Sequence, residues 1–95
     1  VAIEPMVISL GRGSGSRHLR FRGDLEVARP HEAEVRLLMP RILDVLNGYL
    51  RAVEIRDLED PPVLVQLRAQ MLRRVQIVTG EGRVRDLLIT EFVVN

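Results

Sequence analysis

"RHLRFRGDLEV", from Arg17 to Val27, is the stretch on which the fold turns. Leu19, Phe21, Leu25 and Val27 fall on one side of an alternating pattern, with Gly23 among them. His18, Arg20, Arg22, Asp24 and Glu26 fall on the other. A period of two with one apolar face is the signature of a half-buried antiparallel strand. Two tempting readings weaken once the alternation is seen. Arginines beside Phe21 resemble an RNA grip, but a stacking platform needs its aromatic exposed on the charged face, and Phe21 points the other way. Asp24 and Glu26 also continue that face with the opposite sign. The Arg22-Gly23-Asp24 triplet resembles an adhesion tag, which must sit on an exposed loop and here lies mid-strand.

Upstream, Val1 to Leu10 ("VAIEPMVISL") is rich in Val and Ile and reads as a strand. Pro5 cannot donate a ladder hydrogen bond, so this strand belongs at a sheet edge or is broken there. Gly11 to Ser16 ("GRGSGS") reads as the loop of a hairpin joining the two strands. Downstream, Arg29-Pro30 ends the second strand. Pro30 suits a first helical position, and Glu32 and Glu34 suit the first turn. Val35, Leu38, Ile42, Val45, Leu46, Tyr49, Leu50 and Val53 then follow with helical spacing. Pro40 interrupts that helix and predicts a kink or break near Leu38.

"EIRDLEDPP" reads as a connection, with a short extended piece at Glu54 to Arg56. Pro61-Pro62 opens another helix with a stripe of Leu64, Leu67, Met71, Val75 and Val78, leaving Arg68, Arg73 and Arg74 outside it. The glycines of "TGEG" end it. The final strand, Arg83 to Val94, is apolar on nearly every residue of "DLLITEFVV". That predicts cover on both faces and a central place in the sheet. Strand, strand, helix, helix, strand is a small α+β domain with an antiparallel-containing sheet and two helices.

The bulk numbers agree with one domain spanning residues 1–95. The hydrophobic fraction of 46% and the absence of long charged runs are those of a globular chain, built with few aromatics on Leu, Val and Ile. Net charge is +1, and all 14 basic residues are arginine. There is no cysteine, hence neither a disulfide framework nor thiolate chemistry. No apolar run has the length of a membrane span. The chain opens at Val1 directly in a strand-like run, which reads as a domain excised from a longer protein.

No catalytic constellation emerges. His18 and His31, the two histidines, lack a metal-ligand spacing and any cysteine partner, so solvated surface positions are the simpler reading. Ser9, Ser14 and Ser16 lack a nearby base or a strand–turn–helix elbow. Asp57, Glu59 and Asp60 precede Pro-Pro and suit turn and N-cap roles. "GRGSGS" is glycine-rich like a phosphate loop, but lacks the Gly-Lys-Ser/Thr ending and precedes a strand rather than a helix. Met39 and Met71 lie on or beside helical stripes and read as core. No metal and no cofactor are expected.

Four strings, taken in order, resemble the flagellar basal body-associated FliL family, in its periplasmic C-terminal domain. "EPMVISL" (Glu4 to Leu10) resembles that family's Pro-Phe-Val-Val-Asn-Leu strand. "RHLRFRGDLEV" resembles its Arg-Tyr-Leu-Lys-type strand. "MPRILDVL" (Met39 to Leu46) resembles its first long helix. "GRVRDLLITEFVVN" (Gly82 to Asn95) is the most specific, with Val84, Leu87, Leu88, Thr90, Phe92 and Val93 on the family's terminal pattern. Met6, Ser9, His18, Ile89 and Asn95 depart from the residues usual there, as in a divergent member.

The resemblance implies a stomatin/SPFH-like α+β fold and a single membrane-spanning helix upstream of Val1. It implies an inner-membrane protein of the flagellar basal body whose periplasmic domains associate into a ring. That ring would support the stator proteins MotA and MotB, without catalysis. Polar sheet and helix faces would pair laterally, and Arg20, Arg22, Asp24 and Glu26 are the candidate contact residues. A small arginine-rich nucleic-acid-binding module, or a substrate-binding accessory domain with a deep pocket, remains open at this point as an alternative.

Overall fold

The computed structural model describes residues 1–10 and 17–95, and of Ile55 only the backbone. The expectation placed on residues 11–16, the loop of a hairpin, lies outside the described residues. Three strands, β1 (Ala2–Leu10), β2 (Arg17–Val27) and β3 (Val84–Val94), form one antiparallel sheet in the order β1-β2-β3. The alternation of β2 holds. Leu19, Phe21, Gly23 and Leu25 are buried, while His18, Arg20, Arg22 and Glu26 are exposed. Phe21 meets its register partner Phe92 edge-on, ring centroids 6.4 Å apart.

The strand beside Pro5 is an edge strand, as its missing N–H requires. It is also bulged there. Ile3 pairs with Gly23 and Met6 with Phe21, so Glu4 and Pro5 together oppose Arg22. The extra residue shifts the phase, which is how Ile3, Ile8 and Leu10 all reach the core.

The central strand is β2, which corrects the expectation for β3. β3 lies at the other edge, and its outer face is open, with Leu88 50% and Val93 44% exposed. Its continuous apolar run has a different cause. Thr90 and Arg85 are each an extra residue relative to β2. Each bulge resets the parity, so the inward set is Val84, Leu87, Ile89, Phe92 and Val94, spaced three, two, three and two.

The helices cover one face of this sheet. α1 (Glu32–Leu37) follows a short 3₁₀ turn at Arg29–His31, and α2 (Met39–Ala52) follows α1 after a break at Leu38. A continuous helix would need the Pro40 amide to donate to the Arg36 carbonyl, and proline has no such donor. Pro40 instead falls in the first turn of α2, where amides have no intrahelical partner. The expected break is where the sequence placed it. α2 buries Ile42, Leu46 and Leu50 and lies over β1. α3 (Pro61–Thr79) buries Leu67, Met71, Val75 and Thr79 and lies over β3. Each fully buried large apolar side chain contributes about 1.5–3 kcal/mol relative to exposure.

The link between α2 and α3 differs from its expected extended form: Ile55–Glu59 is a 3₁₀ turn, which carries Leu58 into the core. Asp60 stands at the N-cap of α3 and makes no side-chain capping bond; Pro61 and Pro62 occupy its first two positions, where a missing amide costs no intrahelical bond. At the other end Gly80 has φ +96°, a conformation that favours glycine. Arg83 satisfies the end of the helix: its Nη1 donates to the Thr79 carbonyl at 2.7 Å and reaches Glu34 Oε1 at 2.7 Å. α3 is tied to β3 by Arg68 Nη2 donating to Asp86 Oδ1 (2.6 Å) and by Gln76 Nε2 donating to the Val84 carbonyl (3.0 Å).

Candidate interaction surface

With every described helix on one side, the opposite face of the sheet has no layer over it among the described residues. The register fixes its rows. Val7, Arg20 and Val93 stand side by side across the three strands. The next row is the Glu4-Pro5 bulge, Arg22 and Glu91, and the next Ala2, Asp24 and Leu88. All four residues singled out from the sequence, Arg20, Arg22, Asp24 and Glu26, are therefore brought onto one surface along the central strand. Arg20 Nε lies 3.5 Å from Glu91 Oε1, and the Val1 nitrogen 3.2 Å from Asp24 Oδ1. Among the described residues, Arg22 and Glu26 make no ion pair.

Two adjoining depressions flank Arg22. One, of about 480 Å³, is bounded by Glu4, Pro5, Asp24, Thr90 and Glu91. The other, of about 200 Å³, is bounded by Pro5, Val7, Arg20 and Glu91. Both arise where the bulges of β1 and β3 face each other across β2. Glu4, Pro5, Thr90 and Glu91 are not among the contact residues expected from the sequence. Only the register places them beside Arg22, and bulges leave no local sequence mark beyond Pro5.

The remaining singled-out residues do not converge. His18 is exposed on the outer face opposite Ser9, while His31 sits in the turn before α1 with Nδ1 3.9 Å from Glu34 Oε2. Asp57 lines a cleft of about 630 Å³ between α2 and α3, together with Tyr49, Gln66 and Gln70. Glu59 faces Arg17 at 3.7 Å. Met71 is buried and Met39 packs against the core. Phe21 is fully buried, so the arginines of β2 have no aromatic platform beside them. What the surface offers is charge, exposed valine and two shallow depressions, the equipment of a contact face.

The sequence model of the flagellar basal body-associated protein FliL matches residues 1–94. The chain belongs to the FliL family. It is 35% identical over 57 residues to the flagellar FliL protein of Caulobacter vibrioides (strain NA1000 / CB15N), an overlap covering 60% of this chain and 28% of that protein. It is 28% identical over 92 residues to the flagellar protein FliL of Aquifex aeolicus (strain VF5), covering 96% of this chain and 57% of that protein. The chain thus spans between about a quarter and somewhat over half of the FliL relatives it matches. Among its described residues, no helix is long and apolar enough to cross a membrane. The family expected from the four strings is the family found, and FliL proteins are associated with the flagellar basal body.

Proposed function

We propose that this FliL domain is a non-enzymatic scaffold of the flagellar motor. It stands on the periplasmic side of the inner membrane, joined to a membrane helix upstream of Val1. Neighbouring copies associate side by side into a ring that supports the stator proteins MotA and MotB under load. One observation carries the reading: the family match runs over residues 1–94, so it spans all three strands and all three helices rather than one local motif. The uncovered sheet face supports it, since a scaffold needs surface to spend on neighbours.

The physics of such an assembly is cumulative. An exposed ion pair contributes about 0–1 kcal/mol, so Arg20, Arg22, Asp24 and Glu26 set register and orientation more than affinity. Tethering to one membrane and closure of a ring raise the effective concentration of each contact. The test is a strain lacking this domain, tracked in media of low and high viscosity. Swimming that slows disproportionately at high load, with fewer stator units retained at the motor, is the expected result. Normal swimming at both loads overturns the stator-support role.

A further inference from the structure

The edges of a sheet present unpaired amides and carbonyls, and the two edges of this sheet are treated differently. β1 is blunted by Pro5 and by its bulge. On β3 the outward groups follow from the ladder. His18 and Asn95 exchange both backbone bonds, at 3.0 and 2.9 Å, and the register from Asn95 back to Glu91 is unbroken. Val94 and Phe92 therefore turn their amides and carbonyls away from β2. Leu25 uses its own amide and carbonyl on Val1, so Leu87, which stands opposite it, also turns outward, as does Ile89 two residues on.

The first half of that edge is closed by side chains. Gln76 Nε2 donates to the Val84 carbonyl (3.0 Å), and the Leu87 N–H donates to Asp86 Oδ1 (2.8 Å). Among the described residues, no hydrogen bond closes the outward groups of Ile89, Phe92 or Val94. The core-facing side chains change character at the same place. Val84 and Leu87 are buried, whereas Ile89, Phe92 and Val94 are only half-buried. The side of α3 that carries Arg68 and Gln76 runs along β3, and Val65, three residues before Arg68 on that side, is 72% exposed.

We propose that residues 89–94 of β3 are a docking edge that takes an extended segment of another protein as a fourth, antiparallel strand. The backbone of the segment pairs with the free groups of Ile89, Phe92 and Val94. Its alternate residues are apolar and lie beside the flank of α3, where they cover the half-exposed side chains of those three residues. The geometry selects a helix-free segment over a second copy of this chain. α3 lies over β3, so a copy joining antiparallel would bring its own α3 over a strand only about 4.8 Å away. Packed helices need about 8–10 Å between axes. The docking edge requires neither a ring nor a stator, so it stands apart from the scaffold reading.

The test is amide hydrogen exchange, followed by NMR on the full chain in detergent micelles. The probe is a short capped peptide of alternating valine and lysine. In antiparallel pairing with its valines on the α3 side, the valine amides face β3 and the lysine amides face solvent. At a peptide concentration about ten times its dissociation constant, the amides of Ile89, Phe92 and Val94 are expected to exchange about tenfold more slowly. Leu87, already bonded to Asp86, stays unchanged. N-methylation of the valine amides abolishes this protection, and N-methylation of the lysine amides preserves it. Val94→Pro removes one outward donor without touching a bond of the β2–β3 ladder and is expected to weaken peptide binding about tenfold, with circular dichroism verifying the fold. Absence of protection at saturating peptide, protection confined to other elements, or binding that survives valine methylation overturns the docking edge. Protection that grows with protein concentration in the absence of peptide assigns the edge to a second copy and overturns it equally.

Discussion

A methyl group added at Gly23 would put its carbon 2.8 Å from the Leu88 carbonyl oxygen and 3.2 Å from the Phe21 ring. The first neighbour is backbone in the adjacent strand and cannot swing away. Gly23→Ala is therefore expected to destabilise by about 1–3 kcal/mol, outweighing the modest gain from a stiffer unfolded chain. A shift of the denaturant midpoint at constant slope measures it. The opposite sign is expected at Gly48, inside α2, where a Cβ meets nothing within 4 Å. There Gly48→Ala removes only the backbone-entropy cost of a helical glycine and stabilises by about 0.5–1 kcal/mol. The same measurement on both variants would contradict this account if the signs agreed. The Arg22-Gly23-Asp24 triplet is thus explained by sheet geometry: the glycine is demanded by a close approach, and its charged neighbours stand on the open face.

At the scale of elements, polar ties hold α3 to β3. Arg68 and Asp86 are both more than a third exposed, so solvent screens their 2.6 Å pair. A double-mutant cycle with Arg68→Ala and Asp86→Ala is expected to give a coupling of about 0.5–1 kcal/mol that shrinks in high salt. A coupling indistinguishable from zero at low salt would mean the ordering of the arginine side chain consumes what the pair gains. The sequence reveals some elements better than others for physical reasons. β2 has no extra residue of its own, so its period of two survives and is readable. The Pro40 break is readable because a missing amide is a property of the residue itself. β3 reads as central from sequence because two extra residues, Arg85 and Thr90, convert an alternating strand into an apparently continuous apolar run. The candidate contact face is half legible in the sequence. Arg20, Arg22, Asp24 and Glu26 lie along one strand, whereas Glu4 and Glu91 join them only through pairing between strands, which no local pattern encodes.

For the whole molecule, the open face is small. Three strands about 4.8 Å apart and up to 11 residues long give a surface of roughly 14 by 36 Å, on the order of 500 Å². A stable interface commonly buries about 800 Å² on each partner. A single contact through this face is therefore too weak to hold two free copies together at micromolar concentration. In the proposed assembly, confinement on one membrane would change the balance, because each contact would then form at a high effective concentration without adding area. The isolated 95-residue chain is accordingly expected to sediment as a monomer, whereas the full chain in vesicles shows self-association. Because the attraction is largely between exposed charges, raising ionic strength from about 0.1 M to about 1 M shortens the screening length from roughly 10 to 3 Å and should strip most of that association away. A salt-resistant dimer of the isolated chain would instead require an apolar interface larger than the open face provides, and would place the contact elsewhere on the molecule.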